Sequence, residues 1–209
     1  MTVELLVATT NTGKLREYQR LLAGLPVVLR SLADLPQAVP EVAETGETFE
    51  ANALLKAHAY SAQTGLMTLA DDSGLMVDAL NGAPSVHSAR YAPTAEARNA
   101  KLLAALEGVP FERRTARFIC VVAVVLPLHD GALTSTAEGR LEGHIAFSAR
   151  GTHGFGYDPI FLLPDGRTVA ELSPEEKDAV SHRGKALAKL KPLLLTMLNL
   201  SAQSISPNH

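Results

Sequence analysis

Two adjacent carboxylates are the side chains of this sequence best suited to chemistry. Asp71 and Asp72 directly follow the apolar run 66–70, so a buried strand would deliver paired acid groups to a cleft. Carboxylate oxygens suit a divalent cation such as Mg²⁺, which lowers the pKa of a water that a carboxylate can orient or deprotonate. Glu44 could supply a further oxygen ligand from a neighbouring loop. The pattern predicts a metal site, with a polar turn at the end of a strand as the alternative.

A second group of residues, at the expected start of the first helix, suits a phosphate. This turn consists of Thr9, Thr10, Asn11, Thr12, Gly13 and Lys14. Its hydroxyls, amide, lysine and backbone N–H groups would face an anion that the helix dipole favours. The first glycine of a Walker A loop is missing, and ordinary helix capping is an equally good interpretation of Asn11. Together with the acidic pair, and with Lys56, Lys177 and Arg183 elsewhere, the turn predicts a receptor for a metal-bound polyphosphate.

Glycines and aromatic rings cluster in residues 151–159. The cluster contains Phe155, Gly156, Tyr157 and Asp158. This composition is expected where a backbone closely approaches a planar ligand, so a nucleobase could stack there. A hairpin turn is the alternative interpretation. Further along, His182 and Arg183 lie between two predicted helices, where they could donate hydrogen bonds to a carbonyl-rich ligand or cap a helix.

The elements that carry these residues do not follow a strict repeat of strand, helix and strand. Apolar spacing predicts strands over 4–8, 66–70, 117–126, 132–136, 143–147 and 160–163. Apolar spacing and capping residues also predict five helices. The first carries Leu15 to Leu22, the second begins after Thr48, the third runs from about Thr94 to Glu107, the fourth begins after Ser173, and the last ends near Leu200. Prolines at 26, 36 and 40 indicate a loose connection, and Pro127 is expected to end the strongest strand. Glycine-bearing turns between the later strands favour antiparallel or mixed pairing. An α/β fold with a mixed sheet is therefore expected.

Length and composition allow one large domain or two small lobes, because 209 residues with 46% hydrophobic content can build a substantial core. A formal net charge of −3 argues against a general affinity for nucleic acid. The sequence shows no membrane span and no secretion signal. The single Cys120 lies in an apolar run and fits a reducing compartment. We expect a cytoplasmic protein, in which residues 201–209 form a flexible C-terminal tail.

Taken together, these segments resemble the inosine triphosphate pyrophosphatase (Ham1-like) family, whose members act on non-standard purine nucleoside triphosphates. The resemblance rests on Thr-Thr-Asn-Thr-Gly-Lys (9–14), Glu-Thr-Gly and Asn-Ala-x-x-Lys-Ala within 44–57, Ala-Asp-Asp-Ser-Gly-Leu (70–75), Ser-Ala-Arg-Tyr (88–91), Gly-Phe-Gly-Tyr-Asp-Pro (154–159) and Ser-His-Arg-Gly (181–184). It spans nearly the whole chain. It implies an elongated mixed sheet with helices, in which two lobes flank a nucleotide-binding cleft. It also implies that residues 1–200 form one domain, that the protein is a homodimer, and that its cofactor is Mg²⁺.

The resemblance also implies roles for the residues identified above. Asp72 is similar to the family's catalytic base and metal ligand, Glu44 to a further metal ligand, and residues 9–14 to the phosphate-binding turn. Substrate contacts are implied for Lys56, Ser73 and Lys177. Recognition of the base is implied for Phe155, Gly156, Tyr157 and Asp158, and reading of the purine 6-keto group for His182 and Arg183. One departure is Ala51, where many relatives carry an acid.

The expected reaction is Mg²⁺-dependent hydrolysis of ITP, dITP or XTP to the monophosphate and pyrophosphate. A pyrophosphatase of modified pyrimidine triphosphates is an alternative, because phosphate-binding residues alone do not identify a base. A nucleotide sensor without turnover is a further alternative. The tandem aspartates argue against the sensor, because binding alone needs no group that activates water.

Overall fold

Six strands and five helices organise the described part of the chain, residues 3–204 of the computed structural model. The strands are β1 (Val3–Val7), β2 (Val27–Ser31), β3 (Met67–Val77), β4 (Thr115–Leu128), β5 (Gly131–Ile145) and β6 (Phe161–Leu162), and the helices are α1 (Thr12–Leu21), α2 (Phe49–Thr64), α3 (Ala95–Ala105), α4 (Pro174–Val180) and α5 (His182–Ser204). The sheet has the order β2-β1-β3-β4-β5-β6. Strand β1 pairs in parallel with β2 and β3, and β5 pairs antiparallel with β6. The predicted α/β fold with a mixed sheet is confirmed.

Residue contacts divide the chain into two compact units. The first unit comprises the described parts of residues 1–72, 121–138 and 186–209, and the second comprises residues 73–120 and 139–185. Strands β3, β4 and β5 contribute residues to both units. Within residues 3–204, no helix has the length and apolar character that crossing a membrane requires.

Parallel pairing in the first unit places two of the predicted site segments next to each other. Val7 of β1 lies opposite Leu69 of β3, and the N–H of Ala8 donates to the Leu69 carbonyl at 2.8 Å. Because parallel strands share a direction, the turn that follows β1 lies beside the acidic pair that follows Ala70 within β3. The fold therefore brings the turn of residues 9–14 to the carboxylates.

The helices of the first unit begin where the capping pattern predicts. Thr48 caps α2, its hydroxyl accepting from the Ala51 N–H at 3.1 Å, and Gly65 ends this helix in a left-handed conformation with φ of 69°. The buried face of α2 consists of Phe49, Asn52, Ala53, Ala57, Tyr60 and Ser61. Asn52 is the amide of this otherwise largely apolar face, and it belongs to the candidate site.

The acidic pair lies inside a strand, whereas the predicted strand covered only residues 66–70 and a polar turn was the alternative interpretation of the pair. Strand β3 continues to Val77, and Asp71 and Asp72 are 2% and 5% exposed. Neighbouring strands on both sides supply backbone partners to β3, and basic side chains from distant segments compensate the buried charges. Those partners lie far away in the sequence, so the local polar composition was misleading.

Four other expectations differ from the structure. Strand β2 occupies part of the predicted loose connection, as a half-exposed edge strand between the prolines. Strand β4 continues past Pro127 to Leu128, near its end, where the loss of one N–H donor is tolerated. The predicted strands 132–136 and 143–147 belong to one strand, β5, which lies between β4 and β6 in the sheet. Helix α5 extends to Ser204 rather than Leu200, and the predicted tail residues 205–209 lie outside the described residues.

The second unit has its own apolar core beneath the glycine-rich loop. Its buried residues include Leu75, Leu102, Phe118, Ile145, Ile160 and Phe161, with the Phe118 and Phe161 rings 4.5 Å apart. Helix α4 begins with the predicted capping box, in which Ser173 accepts from the Glu176 N–H and Glu176 accepts from the Ser173 N–H. This packing holds the loop and the start of α5 in place.

Candidate active site

Helix capping uses part of the first predicted phosphate site. The Asn11 side chain accepts from the Lys14 N–H at 3.1 Å, and the Asn11 N–H donates to the Thr9 hydroxyl at 3.2 Å. Residues 10–12 are exposed at the N-terminus of α1. The capping interpretation of Asn11 is therefore correct, and it is compatible with anion binding because a helix start presents further N–H groups and the positive end of the dipole.

Two lysines and three carboxylates form a cluster in the first unit. Lys14 Nζ lies 3.0 Å from Asp71 Oδ2, and Lys56 Nζ lies 2.5 Å from Glu44 Oε1 and 4.0 Å from Asp72 Oδ1. Lys56 Nζ also donates to the Asp71 carbonyl at 2.6 Å. The structure thus brings together four residues predicted from separate segments: Lys14, Glu44, Lys56 and Asp72.

Burial and charge have opposing effects on the ionisation of this cluster. Burial raises the pKa of Asp72 above its usual value, and the charges of Lys56 and Lys14 offset only part of that rise. Burial alone would lower the pKa of Lys56, but the combined charges of Asp71, Asp72 and Glu44 outweigh it and raise that pKa. Lys56 therefore keeps its positive charge at neutral pH, and Asp72 is a stronger base than a surface aspartate.

Asn52 is a member of this cluster that the sequence did not reveal as one. It is fully buried on α2, and its Nδ2 donates to Asp72 Oδ2 at 3.0 Å. Its Oδ1 accepts from the Gly46 N–H at 2.7 Å. The sequence offers two signals for Asn52: it begins the Asn-Ala-x-x-Lys-Ala motif, and it is an amide on the apolar face of a helix, one turn before Lys56.

The donor set fits a magnesium ion that a substrate shares. No group of three or more histidine, cysteine or acidic side chains converges to hold a metal within residues 3–204. Oxygens of Glu44 and Asp72 nevertheless both lie near one positive charge, the Lys56 ammonium, at 2.5 and 4.0 Å. Magnesium is commonly held by one or two carboxylates together with substrate phosphates and water. Glu44 and Asp72 match that mode of binding.

Asp158 and Lys177 form a buried ion pair in the second unit. Lys177 Nζ lies 2.6 Å from Asp158 Oδ2, and both side chains are almost fully buried. Asp158 Oδ2 also accepts from the Phe155 N–H at 2.8 Å, and Lys177 Nζ lies 4.5 Å from the centre of the Phe155 ring. The pair therefore fixes the glycine-rich loop around Phe155. The predicted substrate contacts of these residues stay predictions.

The first turn of α5 carries His182 and Arg183, the two residues predicted to recognise the purine. Arg183 is 1% exposed, donates from Nη2 to the Ser73 hydroxyl at 3.0 Å, and lies 6.0 Å from the Phe155 ring. The His182 ring stacks on Phe118 with 4.8 Å between centroids. In the second unit, Arg183 thus lies close to both Ser73 and Phe155.

Two further residues, Ser88 and Asn99, form hydrogen bonds with the glycine-rich loop. The Tyr157 hydroxyl donates to the Ser88 carbonyl at 2.9 Å, and burial raises the pKa of Tyr157 so that the phenol stays protonated. Asn99 donates from Nδ2 to the Gly156 carbonyl at 3.1 Å. The Ser88 hydroxyl accepts from the Leu75 N–H at 2.9 Å. The loop is therefore braced by α3 and by the Ser-Ala-Arg-Tyr segment, for which the sequence suggested no role.

Comparisons with known proteins match almost the whole chain. The model of the Ham1 family matches residues 5–193. A protein of Geobacillus kaustophilus named dITP/XTP pyrophosphatase is 55% identical over 191 residues, which are 90% of this chain and 92% of that protein. A protein of the same name from Geobacter sulfurreducens is 56% identical, with 90% and 94% covered.

A solved structure supports the same relationship. The structure of a HAM1 protein from Coxiella burnetii has a TM-score of 0.82 and 45% identity to this chain. The match covers 92% of this chain and 98% of that one. Sequence and fold therefore agree over nearly the full length of both chains.

Proposed function

This chain belongs to the Ham1 family, and on that premise we propose that it is a nucleoside triphosphate pyrophosphatase that acts on dITP, ITP and XTP. The reaction yields a nucleoside monophosphate and pyrophosphate. The single observation that carries the proposal is the cluster of Asp72, Glu44, Lys56 and Lys14, because it combines a basic carboxylate with charges that suit a polyphosphate. The family resemblance expected from the motifs is confirmed.

Asp72 is the proposed general base. Its carboxylate removes a proton from a water whose oxygen attacks the α-phosphorus, and the bond from that phosphorus to the oxygen bridging the α- and β-phosphates breaks. Pyrophosphate leaves with the electron pair of that bond. The raised pKa of Asp72 supports this role, because a base is most effective when its pKa lies closer to the working pH.

Lys14, Lys56 and the start of α1 are proposed to hold the polyphosphate. Fixed positive charges at the leaving group stabilise a transition state in which negative charge accumulates there. Glu44 and Asp72 would hold Mg²⁺, which when bound neutralises phosphate charge and makes water more acidic. The proposed role of Ser73 is a hydrogen bond to the substrate next to the base.

The glycine-rich loop and the start of α5 are proposed to select the purine. Phe155 would stack on the base, Tyr157 and Asp158 would shape the loop, and Arg183 and His182 would donate to a 6-keto oxygen. A purine with a 6-amino group would place hydrogen-bond donors opposite the donors of Arg183 and His182, so these groups would be left unpaired. Each unpaired buried donor costs about 1–3 kcal/mol. Adenine nucleotides are therefore poor substrates under this proposal.

A nucleotide panel tests the proposal. We expect pyrophosphate release from dITP and XTP with Mg²⁺, little release from dATP or dTTP, and none after the metal is chelated. Preference for dUTP or a modified pyrimidine would favour the alternative substrate class. Binding of ITP without any turnover would favour the sensor.

We propose that residues 1–200 act as a single functional domain, that the protein is a cytoplasmic homodimer, and that it needs neither nucleic acid nor membrane as a partner. The single cysteine, Cys120, is buried and has no second cysteine in the chain for a disulfide, as suits a reducing compartment. Light scattering tests the dimer, and a species with only the 22.2 kDa mass of one chain would contradict it.

A further inference from the structure

The Asn52 side chain uses both ends of its amide to connect two parts of the first unit. It is fully buried, donates from Nδ2 to Asp72 Oδ2 at 3.0 Å, and accepts at Oδ1 from the Gly46 N–H at 2.7 Å. The partners fix the orientation of the amide, because an ionised carboxylate accepts and a backbone N–H donates. Asn52 therefore links the strand carrying Asp72 to the loop carrying Glu44.

Gly46 shows that the loop packs directly on this amide. A Cβ at position 46 would lie 2.7 Å from Asn52 Oδ1 and 2.8 Å from the Ala51 Cβ, which is closer than side chains approach. The absence of a side chain at Gly46 lets the backbone reach the amide. Glu44, two residues earlier, is in turn held by Lys56 Nζ at 2.5 Å.

We propose that Asn52 is a positioning residue that holds Glu44 and Asp72 in one arrangement for metal-bound polyphosphate. The proposal rests on the proposed function. By occupying Asp72 Oδ2, the amide directs the other oxygen, Oδ1, towards the cationic point at Lys56 Nζ, 4.0 Å away. By binding Gly46, the same amide keeps the Glu44 loop against α2.

Only an amide of this length meets both requirements. Aspartate at position 52 would still accept from Gly46 but would present an acceptor to the Asp72 carboxylate. Leucine has the same branched shape and the same number of side-chain heavy atoms but makes neither hydrogen bond. These two substitutions therefore separate the link to the loop from the link to the base.

The test compares Asn52→Asp and Asn52→Leu with a matched control, Ser61→Ala. Ser61 is also buried on α2, and its hydroxyl donates to the Leu66 carbonyl at 3.1 Å, outside the candidate site. Steady-state kinetics with dITP and Mg²⁺ give kcat and KM. Hydrogen exchange at the amides of residues 44–48, without metal or nucleotide, reports on the loop.

Both Asn52 variants are expected to lower kcat about 10–100-fold, as is typical of residues that orient a metal ligand, while KM changes less than about threefold. Exchange at residues 44–48 is expected to accelerate in Asn52→Leu and to stay slow in Asn52→Asp. Ser61→Ala is expected to keep the wild-type kcat and the wild-type exchange.

A kcat for the folded Asn52→Asp protein equal to that of Ser61→Ala would overturn the role towards Asp72. Unchanged exchange in Asn52→Leu would overturn the role towards the loop. An inactive wild-type protein would instead refute the proposed function, and the exchange measurement would still decide whether Asn52 holds the loop.

Discussion

Lys177 and Asp158 bind each other inside the second unit, with Nζ 2.6 Å from Oδ2 and both side chains about 95% buried. The same carboxylate accepts from the Phe155 N–H, so one buried charge pair sets the shape of the loop proposed to receive the base. The conformation of this loop therefore depends on electrostatics within the protein as well as on its glycines.

Loss of one partner of this pair is expected to be costly for stability. Lys177→Met and Asp158→Asn should each lower the free energy of unfolding by about 3–5 kcal/mol, because each leaves an uncompensated buried polar or charged group. The double variant should lose less than the sum, which denaturant unfolding can measure. Glu4→Gln, in an exposed pair with Arg30, should cost less than about 1 kcal/mol. Additive losses for the two buried residues would contradict the pairing.

Removal of the Lys56 charge is expected to impair catalysis. Lys56→Met should lower kcat/KM for dITP about 10²–10³-fold, because a fixed charge near the leaving pyrophosphate is lost and Glu44 and the Asp71 carbonyl lose their donor. Lys189→Met is the control, since Lys189 is exposed and donates only to the Glu138 carbonyl among its described contacts. Equal kcat/KM in the two variants would argue against a role for Lys56 in phosphate binding.

Arg183 is expected to determine which purine is accepted. Arg183→Lys keeps the charge but loses the planar group that donates to Ser73 Oγ, so the preference for dITP over dATP should fall at least about tenfold. The ratio of the two kcat/KM values measures it. Arg98→Lys, on α3 in the same unit, controls for the change of side chain. An unchanged ratio in Arg183→Lys would place recognition of the 6-position elsewhere.

Gly154 is expected to be necessary for the shape of the recognition loop. Its φ is +76°, and an added Cβ would collide with the Asp158 carboxylate. Gly154→Ala should therefore raise KM for dITP and destabilise the fold by more than the roughly 1–2 kcal/mol that a left-handed alanine costs. Gly166→Ala has the same strain, with φ of +87°, but open space around the Cβ. Thermal unfolding and KM for both variants would expose the difference, and identical behaviour would exclude the predicted collision.

Local sequence signals predicted the helix starts and the fold class well. Thr48 and Ser173 cap helices as their spacing indicates, because a capping hydroxyl acts within three residues of itself. The motifs also marked residues that lie close together in the structure, such as Glu44, Lys56 and Asp72, although their contacts with a substrate stay predictions. These features could be predicted since their causes are local or are marked by a family motif.

Features that depend on distant partners could not be read from the sequence. The pair of Asp71 and Asp72 lies in a buried strand only because Lys14 and Lys56 reach it from α1 and α2. Asn52 gives no sign of its role until Asp72 and Gly46 lie beside it. In both cases the deciding contact joins residues from separate segments, so local composition could not indicate it.

The most direct test of the account is product analysis with dITP and Mg²⁺ for the wild-type protein and for Asp72→Asn. We expect the wild type to form one dIMP and one pyrophosphate per dITP, and Asp72→Asn to turn over about 10²–10⁴-fold more slowly, as loss of a general base predicts. Near-wild-type turnover by Asp72→Asn, or release of orthophosphate in place of pyrophosphate by the wild type, would contradict the account.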